Sequence, residues 1–191
     1  FTSTKAVAIT VTDAPDTAAL INGMGGTTGF GTTALARADD AGVMLDITSV
    51  FPTGLKFGAN LFNSLFINNN GTVTFNGASS AYIPQQFPYS SNPMIAPFWA
   101  DVDTRGSTVT ASPGGTSTGS NQVWFNLDSV NRIITVTWDD VQAYFADPGK
   151  PVNAFQLRII ARPQGSSSTG ASFTYGADTY DIEYRYEAIN W

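Results

Sequence analysis

The feature that most constrains the fold is a strict alternation of large apolar and charged side chains near the end of the chain. In residues 180–186, tyrosine or isoleucine occupies every second position, and Asp181, Glu183 and Arg185 lie between them. Successive side chains of a strand point to opposite faces, so this pattern predicts a strand with one face on a core and one in water. Residues 132–139 and 154–161 alternate in the same way. The sequence therefore predicts an all-β protein, an antiparallel β-sandwich or barrel-like fold with long loops and at most short helices.

A tight hairpin is predicted in the middle of the chain. Residues 64–67 and 72–75 have strand-like composition, and residues 68–71 between them read Asn-Asn-Asn-Gly. Asn and Gly tolerate the positive φ angles that tight hairpin turns require. Residues 70–72 also spell a glycosylation sequon, but the turn accounts for them without a sugar.

The rest of the chain alternates between predicted strands and loops. Residues 4–12 and 122–127 predict two further strands. The Ser-, Thr- and Gly-rich run at 108–120 predicts a loop. Short helices are expected at residues 18–23 and 139–145.

The composition excludes several kinds of chemistry. The 191 residues include neither cysteine nor histidine, which removes a thiolate nucleophile, a disulfide, an imidazole base and an ordinary zinc site. The formal charge is −6 and the 9 basic residues are scattered, so binding to nucleic acid is not expected. No stretch is apolar for long enough to insert directly into a membrane. The length suits one domain.

Several sequence blocks together carry a resemblance to a known family. In chain order they are LFINNNG at 65–71 with VTF at 73–75, IAPFWADVDTR at 95–105, TVTWDDV at 135–141, NAFQL at 153–157, and DIEYRYE at 181–187 with the tryptophan at 191. In this order, over about residues 54–191, the chain resembles the nidogen-like (NIDO) domain family. The resemblance implies an extracellular, non-enzymatic module for adhesion or matrix assembly. It implies no catalytic residues and no defined set of ligand-binding residues.

The resemblance also guides the expected domain division and setting. Residues 18–191 are expected to form the nidogen-like β domain, and residues 1–17 a leading strand, a linker or the end of a preceding module. The cysteine-free composition and the segment ALARADD at 34–40 look like bacterial members, which occur in secreted or surface-attached multidomain proteins. The expected location is extracellular or at the cell surface. The expected partners are other surface or matrix proteins, or copies of the chain itself.

Asp101 and Asp103 are the predicted metal ligands. They stand two residues apart, so on an extended segment both side chains point the same way while Val102 faces the core. Converging oxygen ligands suit Ca²⁺. Candidates to complete its coordination are Asn92, Thr104, Asp139 and Asp140. An alternative is that one carboxylate caps a turn and the other pairs with Arg105.

A glycosidase is the enzyme class that the residue types leave readily open, because two carboxylates can suffice for it. The available acids are Asp101, Asp103, Asp139, Asp140, Glu183 and Glu187. Catalysis also requires one acid with a raised pKa in a cleft, and no sequence pattern indicates one. The chain is therefore predicted not to be an enzyme.

Aromatic residues make up 13% of the chain and could form a core or a carbohydrate-stacking platform. The rings in question are Phe98, Trp99, Trp124, Trp138, Tyr144, Phe145, Phe155, Tyr184 and Trp191. Core is favoured for them because most stand at inward positions of alternating strands. In contrast, Tyr82, Phe87 and Tyr89 lie in a proline-rich segment and are expected to be partly exposed.

Three functions are consistent with these observations. The first is a structural or adhesive module that acts by protein–protein contact. The second is a calcium-dependent or lectin-like module, with a glycan as the ligand in the lectin case. The third is a filament subunit whose residues 5–11, with Val7, Ile9 and Val11 on one side, add a strand to a neighbour's sheet.

Overall fold

The structure is a computed structural model that describes residues 19–87, 92–145, 149–162 and 179–191. Within these ranges it contains twelve strands and no helix, and hence none that could span a membrane. The strands are β1 Thr33–Ala34, β2 Gly42–Asp46, β3 Leu55–Phe57, β4 Asn60–Phe62, β5 Ser64–Asn68, β6 Thr72–Thr74, β7 Met94–Ile95, β8 Val102–Asp103, β9 Gln122–Asp128, β10 Ile133–Ala143, β11 Val152–Ala161 and β12 Tyr180–Ala188. The predicted leading strand at residues 4–12 lies outside the described residues.

The strands form two antiparallel sheets and a short hairpin. The larger sheet has the order β1-β9-β10-β11-β12, and β8 pairs with the last residues of β10. The smaller sheet has the order β2-β5-β6-β7, and β3 pairs with β4. The sheets pack together without closing into a barrel, so the prediction of an all-β sandwich is confirmed. The barrel-like alternative is not observed.

The core lies between the two sheets and is built from inward positions of the alternating strands. The larger sheet supplies Ile134, Val136, Trp138, Phe155, Leu157 and Ile159, and the smaller sheet supplies Leu45, Leu65, Ile67, Val73 and Ile95. Trp138 is fully buried and stacks on Phe155, with ring centroids 4.9 Å apart and planes inclined by 12°. The period-two pattern of β10 and β11 therefore located the centre of the core correctly.

The two short helices predicted from the sequence are wrong. Residues 19–23 form no helix, because the backbone N–H groups of Leu20 and Ile21 donate to side chains of the larger sheet. Residues 139–143 continue β10 instead of forming a helix, through an irregularity in its pairing with β11. Asp140 at this bulge has a φ of 51°. A bulge of this kind bends a strand and re-aims its side chains.

The turn of the central hairpin is confirmed, and it is buried. Asn68, Asn69 and Asn70 are each at most 2% exposed. Asn68 bonds within the hairpin, and Asn69 donates its amide to the carbonyl oxygen of Val102 at 2.8 Å. Asn70 accepts the N–H of Val102 at 2.9 Å and donates to the carboxylate of Asp40 at 2.7 Å. Because the amide of Asn70 is enclosed and bonded, the sequon offers no room for a glycan in the folded domain.

Gly71 completes this turn directly against the backbone of Phe98. Its φ is +75°, and a Cβ atom would lie 1.7 Å from the carbonyl oxygen of Phe98. Gly58 offers a matched comparison, since its φ is +63° but a Cβ there would meet nothing within 4 Å.

We expect Gly71→Ala to lower the free energy of unfolding by about 3 kcal/mol or more, because steric overlap adds to the cost of a left-handed alanine. Gly58→Ala should cost only about 1–2 kcal/mol, the backbone term alone. Urea unfolding of the two variants measures both values. Equal losses would contradict a close approach of the turn to Phe98.

Candidate functional site

Three carboxylates converge beside the asparagine turn. The side-chain oxygens of Asp39, Asp40 and Asp101 lie within 4.8 Å of one another, and we call these residues the acidic cluster. Asp40 has a φ of 53° and is held by the amide of Asn70. Asp101 immediately precedes β8, whose pairing with β10 fixes its position. The predicted ligand Asp101 is thus placed with two other acids.

Asp103 is not part of this convergence, although it stands two residues from Asp101. Its side chain is 2% exposed, and Arg105 donates to its two oxygens at 2.9 and 2.7 Å. Its Oδ1 also caps the backbone N–H of Arg105 at 3.0 Å. Hydrogen bonding by Arg105 lowers the pKa of Asp103 despite its burial. Asp103 therefore caps the backbone of Arg105 and pairs with its side chain, as the alternative to a metal ligand predicts. Asp101 does not share these contacts and lies in the acidic cluster.

The acidic cluster is only partly neutralised. Burial first, and then the charge of Asp40, raises the pKa of Asp39; burial and the charges of Asp40 and Asp39 raise that of Asp101. A guanidinium nitrogen of Arg105 lies 3.0 Å from Oδ2 of Asp39. However, Oδ1 of Asp39 is buried and has no hydrogen-bond partner among the described residues. Such an arrangement favours a proton or a cation close to the cluster.

The other residues predicted to complete a calcium site are used elsewhere. Asn92 accepts the N–H of Asn76 at 3.0 Å, and the hydroxyl of Thr104 bonds to Ala38. Sequence reasoning missed Asp39 and Asp40 as site residues and treated them only as part of a family-like segment. The available signal was two adjacent carboxylates at the end of a Gly- and Thr-rich stretch.

Exposed aromatic rings border the acidic cluster on the side of β10. The backbone N–H of Tyr144 donates to the carbonyl oxygen of Asp101 at 2.9 Å. The rings of Tyr144 and Phe145 are in tilted contact, with centroids 4.2 Å apart and planes inclined by 41°, and Phe145 is 74% exposed. The prediction that both rings are core is wrong. β10 ends at Ala143, and Phe145 has a φ of 77°, so the inward alternation does not extend to these residues.

A second group of aromatic rings is linked to the acidic cluster through Ala81, whose carbonyl oxygen accepts the amide of Asn70, the residue that also donates to Asp40. The indole nitrogen of Trp99 donates to the carbonyl oxygen of Ala81 at 2.8 Å, and Phe87 contacts Trp99 edge-on at 6.4 Å between centroids. Tyr82 and Phe87 are exposed as predicted, whereas Tyr89 lies outside the described residues. We call the acidic cluster and these rings the acidic–aromatic surface: Asp39, Asp40, Asp101, Tyr82, Phe87, Trp99, Tyr144 and Phe145.

The other acids considered for a glycosidase are engaged in hydrogen bonds or ion pairs. Asp139 and Asp140 accept hydrogen bonds from the loop 112–120, as does Glu187. The donors to Glu187 are the N–H groups of Leu20, Thr116 and Ser117, at 3.1, 2.7 and 2.9 Å. Glu183 pairs with Arg158 and Arg185 at 2.5 Å each. Because these oxygens are already bonded, the arrangement argues against their use as the acid pair of a glycosidase.

The effect of burial on the pKa is offset to different extents in two of these acids, Asp140 and Glu187. Burial raises the pKa of Asp140, although hydrogen bonds from Ser112 and Gly119 oppose the shift. Burial also opposes ionisation of Glu187, but hydrogen bonds from Ser117, Thr116 and Leu20 outweigh it and lower the pKa of Glu187. The carboxylate of Glu187 therefore stabilises the fold in its ionised form.

The fold is an antiparallel β-sandwich, an architecture shared by proteins of many different functions. The model of the nidogen-like domain matches residues 63–191, more than half of the chain. The chain therefore belongs to the nidogen-like domain family, as its sequence blocks predicted. Residues 19–62 contribute Leu35, Leu45 and Ile47 to the same core as the matched region.

The related proteins are large matrix proteins. The chain is 29% identical to alpha-tectorin of Mus musculus over 141 residues, which is 68% of the chain and 6% of the relative. It is 28% identical to alpha-tectorin of Gallus gallus over the same length, and 30% identical to nidogen of Drosophila melanogaster over 136 residues, 63% of the chain and 10% of the relative. The chain thus spans a small part of these relatives. No solved structure shows significant similarity to it.

These findings confirm the predicted extracellular location, because alpha-tectorin and nidogen are extracellular matrix proteins. They support an extracellular matrix module. The relatives are structural proteins, which argues against an enzyme. The resemblance to bacterial members and the domain boundary at residues 17 and 18 stay predictions.

We expect Glu187→Gln to lower the free energy of unfolding by about 1–3 kcal/mol at neutral pH, because an amide cannot accept all the N–H groups that the carboxylate accepts. The contribution of Glu187 is fully present above its ordinary pKa of 4.5 and is lost as the pH falls through the lower pKa of the folded state. The difference between wild type and variant should therefore shrink on acidification.

Urea unfolding across this pH range measures the effect. Asp46→Asn is the control, because Asp46 is exposed and its carboxylate accepts from the nearby Thr48, so a much smaller loss is expected. A difference for Glu187→Gln that stays constant with pH would contradict the assignment.

Proposed function

We propose that the chain is a structural module of the extracellular matrix that acts by protein–protein contact through the acidic–aromatic surface. The observation that carries the proposal is the exposure of large rings around a partly neutralised acidic cluster, in a family of matrix proteins. Phe87 is 55% exposed and Phe145 74% exposed. Aromatic side chains with little conformational freedom contribute strongly to protein interfaces.

The chemistry of this surface favours a partner with lysine or arginine side chains. The carboxylates of Asp39, Asp40 and Asp101 would attract cations, and rings such as Trp99 and Tyr144 can hold a cation over their faces. Because carboxylates near a surface are screened by salt, contact with such a partner should weaken as ionic strength rises. Other matrix proteins are the general kind of partner that the relatives support.

We expect the double variant Phe87→Ser, Phe145→Ser to bind immobilised extracellular matrix about tenfold or more weakly than wild type, the usual effect of losing central aromatic anchors. Val130→Ser is the matched control, because Val130 is 88% exposed and lies at the turn between β9 and β10. Binding is measured with labelled protein at several salt concentrations. Equal binding of the double variant and the control would contradict the proposal.

A lectin-like role for the same rings has a separate readout. A glycan array probed with wild type and the double variant tests it. Glycan binding that the double variant loses would assign the surface to a sugar instead of a protein partner.

A second candidate function is calcium binding at the acidic cluster. Three carboxylates with oxygens within 4.8 Å suit a hard cation, and Asp39 offers an oxygen without a hydrogen-bond partner. In this proposal Asp101 is a ligand as the sequence predicts, with Asp39 and Asp40. Asp103 would contribute an oxygen only if Arg105 moved away from it.

We expect calcium to bind with a dissociation constant of about 10⁻⁴–10⁻³ M, the range typical of extracellular modules. Isothermal titration calorimetry and a thermal shift measure it, and Asp101→Asn should abolish both signals. The matched control is Asp46→Asn, since Asp46 is exposed and caps only the nearby Thr48. Absence of heat and of a thermal shift for wild type at millimolar calcium would rule out this function.

A further inference from the structure

Three Asn-Gly bonds occur in the chain, and the fold restrains them to different extents. They join residues 22–23, 70–71 and 76–77. An asparagine followed by glycine is especially prone to lose its side-chain amide, because glycine has no Cβ to hinder attack of its backbone nitrogen on the asparagine side chain. The attack also requires an asparagine side chain that can rotate toward the next residue. Burial and hydrogen bonding therefore decide which of the three bonds can react.

The bond at 70–71 is protected by the buried turn. Asn70 is 0% exposed, and its amide donates to Asp40 and Ala81. Its side-chain oxygen accepts the N–H of Val102 at 2.9 Å. These hydrogen bonds would have to break inside the protein before the side chain could rotate, which is costly. The folded domain therefore holds Asn70 away from the reaction.

The bond at 22–23 is exposed but crowded by a neighbouring residue. A Cβ atom placed on Gly29 would lie 3.3 Å from the Cβ of Asn22 and 3.9 Å from its Cγ. The backbone N–H of Met24 donates to the carbonyl oxygen of Gly29 at 2.8 Å, which closes the loop beside Asn22. The side chain of Asn22 is therefore confined on one side.

The bond at 76–77 has neither restraint. Asn76 is exposed and lies in the bend after β6. Its side chain makes no hydrogen bond to the residues that the structure describes, and the backbone N–H of Gly77 donates to none of them. Gly77 does not have a positive φ, and a Cβ atom there would meet nothing within 4 Å. The reacting groups thus have room to approach each other.

We propose that Asn76 is a site of spontaneous deamidation and isoaspartate formation. The nitrogen of Gly77, after hydroxide removes its proton, attacks Cγ of Asn76; the new C–N bond forms, the bond from Cγ to Nδ2 breaks, and ammonia leaves. Water then opens the resulting cyclic imide at one of its two ring C–N bonds. Opening at Cγ gives aspartate, whereas opening at the main-chain carbonyl carbon gives isoaspartate. The reaction consumes water and needs no oxidant or reductant.

Isoaspartate at this position disrupts a bridge made by Asn92. The side chain of Asn92 accepts the N–H of Asn76 at 3.0 Å and donates to the carbonyl oxygen of Gly77 at 2.9 Å, so it spans the reacting bond. The hydroxyl of Thr74 donates to the same carbonyl oxygen at 2.6 Å. Because isoaspartate routes the main chain through an additional carbon atom, these bonds cannot all be kept. The modification therefore loosens the start of the segment that leads to Tyr82.

Peptide mapping by mass spectrometry, after incubation of the full chain at mildly alkaline pH, tests the site. We expect Asn76 to be converted with isoaspartate as the larger product, while Asn70 in the same molecules stays intact. In urea, where the fold no longer protects it, Asn70 should be converted at a rate similar to that of Asn76. Equal conversion in the folded chain, an intact Asn76, or an Asn70 that stays intact in urea would overturn the proposal.

Gly77→Ala is the matched variant, because the structure leaves room for the added Cβ and Gly77 does not have a positive φ. The variant should fold normally and convert Asn76 about tenfold or more slowly, since the methyl group hinders the attack. An unchanged rate in Gly77→Ala would contradict attack by the nitrogen of Gly77.

A second variant separates the effect of charge from that of the longer main chain. Asn76→Asp carries the carboxylate of the aspartate product with a normal backbone, so its urea midpoint should equal that of wild type. Protein that has accumulated isoaspartate should unfold at a lower urea concentration, because the bridge of Asn92 is lost. Equal midpoints for fresh protein and for the isoaspartate form would contradict the loss of this bridge.

Discussion

The hydrogen bonds of the buried asparagine turn are the constraint on which the rest of the structure depends. Each of the three side chains is enclosed, and an enclosed amide is costly unless its groups are bonded. Asn69 and Asn70 satisfy this need through the two backbone groups of Val102, which fixes the segment that carries Asp101. The indole of Trp138 donates to the carbonyl oxygen of Asn69 at 3.0 Å, so the same turn joins the smaller sheet to the core of the larger one. The acidic cluster is therefore positioned by the core rather than by its own loops.

Hydrogen bonds to buried carboxylates hold distant segments of this cysteine-free chain together, as disulfides do in other extracellular domains. The loop 112–120 has no strand of its own, yet it is held by the carboxylates of Asp139, Asp140 and Glu187. Glu187 also binds Leu20, 167 residues away in the chain. Charged acceptors make stronger bonds to N–H groups than neutral ones do, so a few buried acids can order long segments. The consequence is that several acids which resemble catalytic candidates in the sequence are structural.

The sequence predicted what depends on local pattern, and not what depends on distant contacts. The period of two identified β10, β11 and β12 as strands, and in β10 and β11 also their buried residues, because side-chain direction follows from the strand itself. In β12 the predicted burial is wrong, since Ile182, Tyr184 and Tyr186 are 37%, 43% and 41% exposed. The bond between Asp40 and Asn70 joins residues 30 apart, and no periodic signal reports it. For the same reason Asp39 and Asp40 were missed as neighbours of Asp101. The exposure of Tyr144 and Phe145 was missed because the pattern does not show where β10 ends.

In the proposed function, the acidic–aromatic surface would select its partner through two kinds of interaction. Its carboxylates would discriminate by the sign of the partner's charge, and salt would screen this attraction. Its aromatic rings would add apolar contact, which ionic strength affects little. The two contributions to binding would therefore separate when affinity is measured as a function of salt concentration.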